Sequence, residues 1–135
     1  MYRFLLKLEY DGTLFHGWQV QENIETVQGV LLEAIKKFDS SCKDVVGSGR
    51  TDAGVHATNQ IAHIDLEKFW EEHTVQKALN FYLSKKPISV LEVKLVNKDF
   101  HARFSAVKRH YVYKIYYREA SLTFERNQYW CINYP

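Results

Sequence analysis

The run Gly47-Ser48-Gly49-Arg50-Thr51-Asp52-Ala53-Gly54-Val55-His56 is where residue types and spacing best suit chemistry. Gly47, Gly49 and Gly54 bracket one arginine and one aspartate. Glycine lets a backbone take positive φ or lie close to a ligand. In an extended segment, residues two apart point to the same side, which groups Arg50 with Asp52. A neighbouring guanidinium favours an ionised carboxylate, so Asp52 is expected to be charged at neutral pH. With no second carboxylate close in sequence, Asp52 suits a nucleophile or an electrostatic partner better than an acid/base pair. A turn closed by a structural Arg50–Asp52 bridge is the other reading, and the segment by itself leaves both open.

Other site chemistries fit less well. The glycine run lacks the GK[ST] of a P-loop, and it precedes a strand where a dinucleotide fingerprint would open a helix. The six histidines, at 16, 56, 63, 73, 101 and 110, form no HExxH, and there is no PCxxC and no GxSxG. Hydrogen-bonded or surface roles are the expectation for them, with no metal. Tyr10, Phe15 and Trp18 flank Asp11-Gly12-Thr13. Aromatics in a polar loop can stack on bases, but anchoring to the core is favoured for Tyr10 and Phe15. Phe100-His101-Ala102-Arg103-Phe104 mixes rings and a cation just before Lys108, Arg109 and Tyr111. There a nucleic-acid contact and simple packing are evenly matched.

The charge pattern bears on the same stretch. Residues 1–75 hold 7 Lys/Arg against 12 Asp/Glu, and residues 76–135 hold 11 against 4, giving −5 and +7 within a net charge of +2. Basic charge interleaved with aromatics over 98–118 suits a polyanion partner, with a solvated strand face as the alternative.

The elements that must position these residues follow from periodicity. Tyr2, Phe4, Leu6, Leu8 and Tyr10 alternate as in a half-buried strand, and Asp11-Gly12 turns the chain. Val27, Val30, Leu31, Ala34, Ile35 and Phe38 share a helical face over 26–38, with Thr26 as cap. Strands are expected at 43–48 and 59–66, a helix at 74–84 ending before Pro87, and strands at 88–96 and 108–117. The order β-α-β-β-α-β plus an added C-terminal strand or hairpin is an α+β, ferredoxin-like antiparallel sheet with both helices on one face. The opposite face is left free for binding.

Composition agrees with one globular domain: 135 residues, 46% hydrophobic, 25% charged, and 8 Gly plus Pro in total. A chain of this length can bury roughly two thirds of its unfolded surface. No apolar run reaches the ~18 residues of a membrane span, and the N-terminus is not that of a secretion signal. Two cysteines without CxxC spacing point to a reduced, cytoplasmic protein.

Four segments together resemble the tRNA pseudouridine synthase A family, in its N-terminal half. They are YDGTLFHGWQVQ (10–21), TVQGVLLEAI (26–35), GSGRTDAGVHATNQIAH (47–63) and FHARFSAVKRHYVY (100–113). They stand in the family's order and near its spacing. The resemblance implies isomerisation of uridine to pseudouridine in the tRNA anticodon stem-loop, without metal or cofactor. It implies that Asp52 is the catalytic aspartate, that Arg50 helps extrude the target base and that Tyr111 stacks on it. It further implies that Phe100, His101, Ala102, Arg103 and Phe104 contact tRNA, to which the basic pattern adds Lys108 and Arg109. A homodimer acting on tRNA is implied as well. Family members carry two such halves. Residues 1–117 are therefore expected to be the catalytic-aspartate domain and 118–135 the start of a connection to a second half, so that the chain reads as a fragment. A non-catalytic RNA-binding module of the same fold is the alternative function, although the strand signature of an RRM is absent.

Overall fold

Alternation along Tyr2–Tyr10 makes the first strand, β1, and sends Phe4, Leu6, Leu8 and Tyr10 to one buried face. The computed structural model describes residues 1–133; Tyr134 and Pro135, the end of the expected connection, lie outside the described residues. After β1 come α1 (Val27–Phe38), β2 (Val46–Gly47), β3 (Ala57–Leu66), α2 (Glu72–Tyr82), β4 (Ile88–Val96), β5 (Ile115–Tyr117) and β6 (Trp130–Ile132). The first four strands form one sheet in the order β2-β3-β1-β4, and every pairing in it is antiparallel. That is the ferredoxin-like arrangement expected from the element order.

Both helices lay their apolar stripes on the Phe4–Tyr10 face of the sheet. Leu31 and Ile35 of α1 and Val75 and Leu79 of α2 are fully buried in one core with Ile64, Leu66 and Val90. Thr26 caps α1 as expected, its hydroxyl accepting the Gly29 N–H at 3.2 Å. Asn80 of α2 grips β4 from both sides: its amide donates to the Val90 carbonyl at 2.9 Å and its oxygen accepts the Val90 N–H at 2.8 Å.

Two strands are shorter than their patterns suggest. The expected 43–48 strand forms a ladder only at Val46 and Gly47. Asp44 Oδ1 accepts the Val45 N–H, and the glycine run then leaves the sheet beneath Trp18. The 108–117 alternation yields only Ile115–Tyr117, because no strand of the described residues lies beside 108–114 to complete a ladder. The added piece is a separate two-stranded sheet in which β5 and β6 run parallel.

The second sheet face is only partly free. Residues 97–105 leave β4 and strap across it, covering His63, which pairs with Leu5 on the side opposite the helices. No helix among the described residues is long and apolar enough to cross a membrane.

Candidate active site

The Asp52 loop takes its position from the N-terminus of α1, through a second loop. The first N–H groups of a helix lack intrahelical partners. Here Val27 and Gln28 donate theirs to the carbonyls of Gly17 and Trp18, at 3.1 and 2.9 Å. Buried Gln28 also accepts the Val20 N–H through Oε1 and donates Nε2 to the Val45 carbonyl. Loop 12–21 is thereby fixed to the helix, and it grips the Asp52 segment. Trp18 donates its N–H to the Thr51 carbonyl at 3.0 Å, and Gly54 donates to the Phe15 carbonyl at 3.1 Å. Tyr10 and Thr51 share a hydroxyl hydrogen bond of 2.9 Å from beneath. Tyr10, Phe15 and Trp18 are all buried, so they anchor the loop and are not free to stack on a base.

Within this frame Asp52 opens a four-residue turn, in which its carbonyl accepts the Val55 N–H at 3.1 Å. Gly54, third in that turn, has φ +78°. That value is the left-handed region a type II turn requires at its third residue, and it explains the glycine. The backbone on both sides of Asp52 is thus tied down while its side chain faces solvent. Arg50 is exposed too. No hydrogen bond or ion pair joins it to Asp52, and neither side chain has such a partner among the described residues. The bridge that would have made this segment merely structural is not formed.

Tyr111 meets the same loop. Its hydroxyl lies 3.8 Å from the point where a Cβ on Gly49 would stand, and its ring is 62% exposed. It is therefore not a core residue. Burial raises the Tyr10 hydroxyl pKa, the Thr51 hydrogen bond opposes the rise, and nearby Tyr111 adds a smaller one. Arg109 lies against Gly49 as well; its Nε donates to the Ser48 carbonyl at 2.8 Å and its Nη2 donates to the Arg103 carbonyl at 3.3 Å.

The strap carries the remaining expected contact residues, and Arg3 and His63 hold it on the sheet while His101 braces it from within. Arg3 forms a two-pronged pair with Asp65, at 2.8 and 2.9 Å, and donates Nη1 to the carbonyls of Lys98 and Phe100. The guanidinium holds the Asp65 carboxyl below the usual range. His63 Nδ1 accepts the Ala102 N–H at 3.0 Å. Burial, with help from the Arg3 and His101 charges, pushes the His63 imidazole down to about 4, so at neutral pH its Nδ1 is free to accept. His101 Nδ1 accepts the N–H groups of Arg103 and Phe104, both at 3.2 Å, and its ring stacks on Phe104. Ala102 is buried, Phe100 and His101 are half-buried, and Arg103 and Phe104 project into solvent. Lys108 is exposed on the chain that follows.

Several residues of this frame have no obvious signal in the sequence. His56 Nδ1 accepts the Gly12 N–H at 2.9 Å, and its Nε2 therefore carries the proton and donates to the Asn127 carbonyl, docking the β5–β6 piece against the loop. Asp11, 3.2 Å from His56, has its carboxyl pKa lowered chiefly by the Thr13 hydroxyl and amide. Gly17 sits at φ +83°, and a Cβ there would meet the Thr51 carbonyl oxygen at 2.6 Å. The one signal available was GxxxxGW in the aromatic loop, where a glycine beside a buried ring marks close backbone approach.

The profile of the tRNA pseudouridine synthase family matches residues 8–105. The tRNA pseudouridine synthase A of Azorhizobium caulinodans is 50% identical over 130 residues, covering 96% of this chain and 50% of that protein. The enzyme of the same name from Xanthobacter autotrophicus is 48% identical over 132 residues, covering 98% of this chain and 54% of its own. That from Paramagnetospirillum magneticum is 46% identical over 132 residues, with 98% and 52% covered. The chain spans about half the length of the curated relatives it matches, and the match lies across the loops and strap described above.

Proposed function

The chain belongs to the tRNA pseudouridine synthase family, and on that premise we propose that it supplies the catalytic-aspartate half of an enzyme that isomerises uridine in tRNA. The observation that carries this reading is an exposed, unpartnered Asp52 carboxylate on a backbone held from both sides, with an exposed tyrosine ring against the same loop. In the reaction the N1–C1′ bond breaks, C1′ bonds to uracil C5, the C5 proton leaves and N1 takes one up. Asp52 either attacks C1′, as in glycoside chemistry, or removes the C2′ proton to give a glycal. The uridine must first leave its stack, which costs a few kcal/mol. Arg50 acts as the wedge and Tyr111 as the stacking platform in this reading. The substrate segment is the anticodon stem-loop, and the resemblance also carries a cytoplasmic homodimer; both rest on family likeness.

Exposure of Asp52 leads to an expected result. Water competes for charge developing at C1′ in an open site, and efficient chemistry needs preorganised partners around it. The 135-residue chain alone should therefore bind tRNA weakly and release no measurable hydrogen from tRNA labelled at uracil C5. Joined to the second half that the relatives possess, covalently or in trans, it should release it. Comparable release by the isolated chain would show that no opposite wall is needed. No release by the joined protein, with tRNA still bound, would favour the RNA-binding module.

Arg103 on the strap and Lys108 just beyond it are exposed, with no side-chain ion pair among the described residues. Replacing both with alanine should weaken tRNA binding and flatten its log–log salt dependence by roughly one unit per lost phosphate contact. A titration over several salt concentrations reads this directly; an unchanged slope makes these cations a solvated surface.

A further inference from the structure

We propose that Arg109 is a positioning residue whose guanidinium bridges the strap to the Ser48–Gly49 turn and thereby holds the Tyr111 ring in place; this rests on the reading of Tyr111 as the stacking platform. Basic charge in this stretch would ordinarily be assigned to phosphate. The geometry points elsewhere, because two of the guanidinium nitrogens already donate to main-chain carbonyls, Ser48 at 2.8 Å and Arg103 at 3.3 Å.

Both acceptors are themselves fixed. Ser48 donates its N–H to the Ile61 carbonyl at 2.8 Å, and the next carbonyl, that of Gly49, accepts Gln60 Nε2 at 2.6 Å. On the strap, Ala102 is fastened to His63, and Ser105 donates its N–H to the His101 carbonyl at 2.7 Å. Arg109 therefore spans two rigid points. Residues 107–114 lie in no helix or strand, and the Tyr111 side chain has no hydrogen bond among the described residues. The bridge two residues earlier is the nearest restraint on where that ring stands.

Gly49 completes the fit. A Cβ there would stand 3.3 Å from Arg109 Nε, 3.4 Å from its Cδ and 3.8 Å from the Tyr111 hydroxyl, so the bare glycine leaves both side chains room close against the turn. A lysine could not take over this role. Its single ammonium offers no planar fork to reach two carbonyls at fixed separation, although it keeps the charge a phosphate would see.

The test compares Arg109→Lys and Arg109→Ala with wild type. In the protein joined to its second half, both variants should lower turnover at saturating tRNA by roughly 10- to 100-fold, the effect of a slightly misplaced group, while the salt slope of binding stays unchanged. In the 135-residue chain, the nuclear Overhauser contact between the Tyr111 ring and the Gly49 α-protons should be present in wild type and lost in Arg109→Lys. A lysine variant with wild-type turnover and an intact contact, beside an alanine variant whose salt slope falls by about one unit, would make Arg109 a phosphate ligand and overturn the proposal. If wild type itself releases no C5 hydrogen, the isomerase reading fails, and the Tyr111–Gly49 contact still decides the role of Arg109.

Discussion

Asp52→Asn should abolish isomerisation, by at least about 10⁴-fold in single turnover, while tRNA affinity stays within about threefold. The asymmetry follows from the geometry. The Asp52 backbone, and not its side chain, is what neighbours hold: its carbonyl accepts the Val55 N–H, and Trp18 secures the preceding carbonyl. The carboxylate makes no hydrogen bond or ion pair among the described residues that an amide would break. The replacement therefore leaves the loop in place and removes only the carboxylate to which the proposed function gives the attack on C1′ or the removal of the C2′ proton. A neutral amide does neither. The measurement is C5-hydrogen release by the protein joined to its second half, with affinity read separately. Residual activity within about tenfold of wild type would rule out Asp52 as the catalytic group.

Gly12→Ala should damage the loop frame severely without touching a residue of the proposed chemistry. A Cβ on Gly12 would stand 2.0 Å from the Val55 carbonyl oxygen and 2.6 Å from its carbon, an overlap that no rotamer relieves because both partners are backbone. One loop must move, and the Gly12 N–H bond to His56 and the turn that begins at Asp52 move with it. We expect a loss of about 3 kcal/mol, at the upper end for overpacking, and a melting temperature lower by roughly 10 °C or more. Turnover per folded molecule should fall about 100-fold, because the carboxylate is displaced. Gly54→Ala is the comparison. Its Cβ would meet nothing within 4 Å, so only the φ of +78° is penalised, at about 1–2 kcal/mol. A Gly12→Ala protein that melts within a few degrees of wild type and turns over normally would show that the two loops are not in the close contact described.

What the sequence determined by itself is the part encoded in short range. The period-2 run of Tyr2–Tyr10, the 3.6-period stripe from Val27 to Phe38, the Thr26 cap and the β-α-β-β-α-β order are all written in residues a few positions apart, and the fold follows them. The RTDAGVHA run and three companion segments were equally legible, since a family's loop chemistry is carried by residue identity as well as by pattern. Tertiary packing decided the rest. Tyr111 has the alternation of a strand residue, but a ladder depends on what lies alongside, and nothing described lies there. Arg50 and Asp52 are two residues apart, yet their separation depends on a turn that Phe15 and Trp18 impose from more than thirty positions upstream. Buried His63 resembles a surface histidine until the strap, 39 residues later, lies over it. Arg109 reads as a basic residue of the strand pattern, and only the fold sets its Nε against the Ser48 carbonyl, 61 residues away. Hydrogen bonds between distant segments leave no periodic trace, because their partners become neighbours only once the core has closed and set the loops side by side.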